Sequence, residues 1–299
     1  MNGAQGHSEL ADAAAVRGML RAGLSPRDAF VAVGWGEPGA DGVPPGAGPP
    51  FAVAARLAHS TGASLAPILD ALSAAALADQ EAELARETSL AGPRLSARIL
   101  AWLPAVGLGL AVLVDAGVLA TLITPAGLSL LGGAVALTLC GRWWMRRMVA
   151  KAQSTPDATG VTLHAVRAAL AAGADVASAL AAVGNACIPE RTLARAGEEL
   201  RVVALCLARG DAWSAAWESA PRLETLRRAL LLPWERGAHA APMLEAAAQS
   251  WALERRRQAQ VAASELSVRL TIPLALCLLP AFILVGIVPL LVSVVGGLR

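Results

Sequence analysis

Apolar residues recur along this chain at helical spacing. Leu193, Ala196, Leu200, Val203 and Leu207 stand three or four apart and so share one helix face. No strand alternation of useful length appears, and the pattern predicts an all-α chain. Two blocks, residues 99–141 and 270–298, lose the polar half of the rhythm and nearly lack charge. A membrane-spanning helix needs about 20 consecutive, mostly apolar residues. The first block is long enough for a helical hairpin and the second for one span, so the expectation is an integral membrane protein with three transmembrane helices.

Between these blocks the chain repeats itself. "LRAGLSPRDAFVAVG" (residues 20–34) and "LAAGADVASALAAVG" (170–184) agree at seven of fifteen positions, including Gly23 with Gly173 and Gly34 with Gly184. Gly23 and Gly173 can close a helix in the left-handed conformation. Ser25 and Asp175 can then cap the next helix, with Pro26 at its first position. Similar corners stand at Gly62, Gly210 and Gly237; the units after Gly62 and Gly237 align, with Pro67 on Pro242, Leu69 on Leu244 and Asp70 on Glu245. Each of these two units continues as a long helix toward an apolar block. In the second copy, residues 190–219 fit two further helices. In the first, "EPGADGVPPGAGPP" (37–50) has nine Gly or Pro in fourteen and reads as a flexible connector. The expected organisation is residues 1–98, a shortened four-helix bundle with linker 37–50; 99–148, a transmembrane hairpin; 149–267, a six-helix bundle; and 268–299, a C-terminal transmembrane helix with a short tail.

Charge orients the spans. Arg86, Arg94 and Arg98 precede the first block, Arg142, Arg146, Arg147 and Lys151 follow it, and Arg255, Arg256, Arg257 and Arg269 precede the last. The bend holds Asp115 and no basic residue. By the positive-inside rule the N-terminus and the central bundle are cytoplasmic and the C-terminus is outside. Trp143 and Trp144, beside these arginines, read as an interfacial belt. Gly132, Ala136 and Cys140 offer a small-residue face for packing in the second span.

Composition removes several functions. A net charge of +2 gives no nucleic-acid footprint. The four cysteines, Cys140, Cys187, Cys206 and Cys277, have no CxxC spacing and read as buried free thiols. Lys151, the only lysine, lies between alanines and makes no phosphate-binding loop; the four histidines, His7, His59, His164 and His239, have no HExxH spacing; no GxSxG elbow occurs. The reading is a non-enzyme with no catalytic, cofactor or metal residue. Trp213 and Trp217, four apart, are either bundle core or a partner-contact face, and Arg255, Arg256 and Arg257 are a second candidate contact, for acidic lipid or an acidic partner.

"VRAALAAGADVASALAAVG", then "ELRVVALCLARGDAWSAAWES", then "VRLTIPLALCLLPAFILVGIVPLL" resemble the type II secretion system F-domain family, with the likeness strongest to platform proteins of tight-adherence (Flp-type) pilus systems. The resemblance runs from about Leu100 to the end, and reaches the N-terminal quarter only through the repeat. It implies cytoplasmic helical bundles hung from three spans in the cytoplasmic membrane. The implied partners are a secretion ATPase, pilin subunits, a sister platform protein and further copies in an oligomer. It implies the coupling of that ATPase to pilin assembly. Members often carry glutamate three residues before the corner glycine; here that position is Trp234, so no role passes to Glu235. The alternatives are a transporter or channel subunit, for which the spans offer Asp115 and little else, and a passive scaffold.

Overall fold

The structure, a computed structural model, describes residues 3–114, 124–151, 158–273, 276, 280 and 283–288. Every regular element among the described residues is helical. Among those residues no helix is long and apolar enough to cross a membrane. The Asp115 of the expected outer bend lies outside the described residues, as do Cys277 and the C-terminal tail.

The chain divides into two compact units, Met1–Glu83 with Thr155–Arg257, and Leu84–Ser154 with Gln258–Arg299. In the first unit, the N-terminal half supplies α1 (Gly3–Arg21), α2 (Pro26–Ala32), α3 (Pro49–Thr61) and the start of α4 (Leu65–Val114). The second half supplies α6 (Thr159–Ala171), α7 (Val176–Cys187), α8 (Ala194–Ala208), α9 (Trp213–Ala216), α10 (Glu224–Arg236) and the start of α11 (Ala240–Pro273). The second unit holds the rest of α4 and α11 with α5 (Pro125–Lys151) between them in the chain.

The repeated corners are built from the same bonds. Gly23 and Gly173 take φ of 92° and 95°, a conformation that costs glycine nothing and an L side chain a great deal. Leu24 N–H donates to Met19 O at 3.0 Å and Gly23 N–H to Leu20 O at 3.1 Å; in the second copy Ala174 donates to Ala169 O at 3.3 Å and Gly173 to Leu170 O at 3.0 Å. This bond pair satisfies the carbonyls that a helix end would otherwise leave open. The cap that follows exchanges its residues between copies. Ser25 accepts from the Asp28 amide at 3.2 Å, whereas Asp175 accepts from the Ser178 amide at 3.0 Å. Each hydroxyl also donates to the carboxylate of its pair, at 2.7 and 2.6 Å. Those bonds hold the Asp175 carboxyl below its ordinary value, the Ser178 hydroxyl contributing most.

The second glycine of the repeat is used differently. Gly34 ends α2 at φ 80°. Gly184 instead lies inside α7, where a Cβ would stand 2.8 Å from the Gly197 carbonyl oxygen of α8. The helices cross there backbone to backbone, and α8 covers the face that α2 leaves to a loop. The five apolar residues that predicted α8, from Leu193 to Leu207, are all buried.

One cluster of apolar side chains runs through both halves of this unit, from Val16, Phe30, Phe51 and Leu72 to Leu163, Leu180, Leu200 and Leu230. The N-terminal helices therefore share a core with the second bundle, with α3 packed on α6 and α7. Arg56 of α3 fastens the halves: its guanidinium donates to Ala186 O at 2.6 Å and meets Glu190 at 3.4 Å and Asp41 at 3.3 Å.

The Gly/Pro segment is a pinned loop where the sequence reads as a flexible connector. Trp35, just before it, stacks between Phe30 and Phe51, with ring centroids 5.9 and 5.6 Å away. Gly46 N–H donates to Trp35 O at 2.8 Å, and Asp41 accepts from the Val43 amide and from Arg56. The indole is 4% exposed and forms part of the core. Its burial and these bonds oppose the entropy that the glycines would otherwise retain.

In the second unit, α5 packs through Ala134 and Leu137 against Leu284, and its Met145 and Met148 pack against Ala263 and Leu266 of α11. The small-residue face expected to make contact, Gly132, Ala136 and Cys140, is instead exposed.

Candidate functional site

The repeat carries a paired charge as well as a corner. Arg17 stands six residues before Gly23, and Arg167 six before Gly173. Asp70 stands eight residues after Gly62, and Glu245 eight after Gly237. The fold joins them as equivalents. Arg17 of α1 pairs with Asp70 of α4 at 2.6 Å, and Arg167 of α6 pairs with Glu245 of α11. In the first copy Arg21, one turn further, also reaches Asp70 at 2.6 Å. In the second, Glu245 accepts from Gln249 at 3.1 Å. Each pair ties the opening helix of its half to the long helix that continues into the second unit. Both pairs are partly exposed, so each contributes on the order of 1 kcal/mol. Their interest lies in geometry: two equivalent clamps grip the two helices that leave the bundle.

The repeated corners at Gly23 and Gly173 are preceded by arginines at one register. The signal was present in "AVR", residues 15–17 and 165–167, just upstream of the aligned corners.

Beside the second clamp lies His164, buried at 6% exposure. Burial, and then the neighbouring Arg167 charge, push its pKa down to about 4, with Glu245 opposing. It is therefore a neutral ring near pH 7. The first copy has Ala14 at the matching position.

Trp213 and Trp217, offered above as core or contact face, are 8% and 3% exposed and form part of the core. Their rings lie 5.3 Å apart, and Trp213 also meets Trp234 at 5.7 Å. Trp234, in the place where the resembled family often has glutamate, thus extends an aromatic row to the surface. Glu235 is exposed. The three arginines separate. Arg255 is largely buried against Asp79, at 3.5 Å, while Arg256 and Arg257 are exposed, with Arg257 paired to Glu254 at 2.8 Å. The structure therefore gives Arg255 an internal partner and leaves the other two at the surface.

An open cleft of about 390 Å³ is lined by Glu224, Thr225, Arg228, Ala229 and Ala247. Its carboxylate is committed: bonds from Arg227 and then Arg228 lower the Glu224 pKa to about 2. Among the described residues no group of three or more His, Cys, Asp or Glu could hold a metal ion. Cys187 is buried and its thiol is pushed up to about 12 by burial, which makes it inert. Cys206 is half-buried and Cys140 exposed, so the expectation of buried thiols holds for Cys187 alone among the described cysteines.

Residues 162–288 match the family model described as type II secretion system (T2SS), protein F. No curated protein and no solved structure matches the chain. The match runs from α6 past α11, covering the six-helix half and its clamp. It supports a place for this segment in the type II secretion F-domain family. It indicates a platform protein of a secretion or pilus system in general. The matching residues exclude α1–α5; the corner after α1 and the ion pair between α1 and α4 repeat those of α6–α11.

Proposed function

We propose that this chain is a non-enzymatic platform protein of a Flp-type pilus or related type II secretion assembly, held in the cytoplasmic membrane. It couples a cytoplasmic secretion ATPase to pilins leaving the bilayer. The family match over residues 162–288 carries the reading. The clamps support its mechanical part. A force applied to the helical bundle passes through Arg17–Asp70 and Arg167–Glu245 into α4 and α11, which continue toward the apolar blocks. Parts of those blocks lie outside the described residues. Exposed apolar side chains in the second unit also favour a lipid surround: Trp102, Val106 and Leu113 on α4, and Leu128, Val135 and Leu139 on α5. Large apolar side chains exposed along a helix mark a surface that meets lipid or another protein.

Two measurements test this. The full-length protein should bind the secretion ATPase of its own system in at least one nucleotide state; absence of binding in every state refutes the coupling. Reporter fusions should place Leu200 and the C-terminal tail on opposite sides of the membrane; a shared side refutes the topology.

A further inference from the structure

The inner end of α5 combines features that neither the clamps nor the family match uses. Leu128, Leu131, Val135 and Leu139 are exposed at spacings of three and four, forming one apolar row. The row runs into Arg142 and Trp143, and Arg147 follows one turn later. Trp143 is 60% exposed, and the Arg147 guanidinium carbon lies 5.1 Å from its ring centroid. Trp144 beside it is exposed as well. The opposite side of this segment is occupied, since Met145 and Met148 pack against α11. The open face is thus apolar for three turns and cationic with aromatic support at its end.

That order of chemistry matches one lipid molecule. An acyl chain lies along the leucine row. An indole favours the depth where hydrocarbon meets headgroup. A guanidinium resting on the indole loses mobility before any ligand arrives. Its fork of N–H donors suits a phosphate oxygen pair better than a single ammonium would.

We propose that the α5 face from Leu128 to Arg147 is an anionic-lipid docking site, in which Arg142 and Arg147 hold the phosphate and Trp143 positions Arg147. The proposal rests on the membrane reading above. It adds a lipid preference to it, so that bilayer composition controls how firmly this end of α5 is seated.

The test uses the full chain in phosphatidylcholine bilayers doped with brominated phosphatidylglycerol or with brominated phosphatidylcholine. Tryptophan quenching is read against Trp143→Phe, which isolates the Trp143 signal. Quenching should favour phosphatidylglycerol by about fivefold per arginine at the site. Arg142→Gln with Arg147→Gln should abolish the preference while the protein still incorporates. Equal quenching by the two lipids overturns the proposal, as does a preference that survives the double substitution. No quenching of Trp143 by either lipid in an incorporated protein also overturns it and indicates a protein neighbour over this face. Failure to incorporate at all overturns the membrane reading itself.

Discussion

One substitution made at two glycines should move stability in opposite directions. At Gly197 in α8, an added Cβ would lie 2.7 Å from Gly184 O, 2.8 Å from Ile188 N and 3.0 Å from Cys187 Cβ. The two nearest are backbone atoms, one in α7 and one in the residue that ends it, so no side chain can rotate away and the helices must part. Overpacking of this kind costs about 1–3 kcal/mol. With rigid neighbours on each side the cost falls at or above the top of that range. Alanine recovers about 1 kcal/mol through helix propensity, leaving Gly197→Ala destabilised by about 2 kcal/mol. For a unit of this size that lowers Tm by about 4–8 °C. Gly18 in α1 is also helical, but its Cβ would meet nothing within 4 Å. Only the propensity gain remains, so Gly18→Ala should raise Tm by about 2–4 °C. The repeat already places alanine at the equivalent position, Ala168. Thermal unfolding of the purified full chain, followed by tryptophan fluorescence, measures both. A Gly197→Ala protein as stable as Gly18→Ala would refute the backbone-to-backbone crossing of α7 and α8.

Other outcomes follow from the same contacts. On the proposed platform function, Arg167→Glu and Glu245→Arg should each impair filament assembly or secretion by the system, and the double exchange should restore it; additive loss would show that the pair is no clamp. His164 is neutral in the fold well below the pH at which the unfolded chain takes up a proton. The unfolded state therefore binds more protons between about pH 6.5 and 4, and stability falls as pH drops through that window. A pKa near 4 puts the total on the order of 3 kcal/mol, and His164→Leu should flatten that part of the stability-versus-pH curve. Arg56→Leu removes the donor to Ala186 O and leaves Glu190 unpaired in a half-buried site, so unfolding experiments should find about 2–3 kcal/mol lost. Arg56→Lys, which keeps the charge without the fork, should recover only part of it. Asp175→Ala should cost about 1 kcal/mol through the lost cap, read as a lower Tm.

The helices and their corners were determined by the sequence alone, because the interactions that make them are local. A Schellman-type close at Gly23 or Gly173 uses carbonyls three to five residues upstream, and the caps at Ser25 and Asp175 use an amide three residues downstream. Even the divergence of the two halves was visible, since a Gly/Pro run cannot hold α8 or α9. Tertiary structure decided everything that joins distant positions. Spacing puts Trp213 and Trp217 on one helix face without saying whether that face is covered; Trp234 and the core cover it. Composition makes residues 37–50 look loose, yet Trp35 and Arg56 supply their order from outside the segment. Gly184 reads like Gly34 until α8, present only in the second half, approaches its backbone. The two bundles appear separate along the chain and share one core in space. A bond such as Arg56 to Ala186 O spans 130 residues. No local pattern encodes it, because its strength depends on where the whole chain brings its ends.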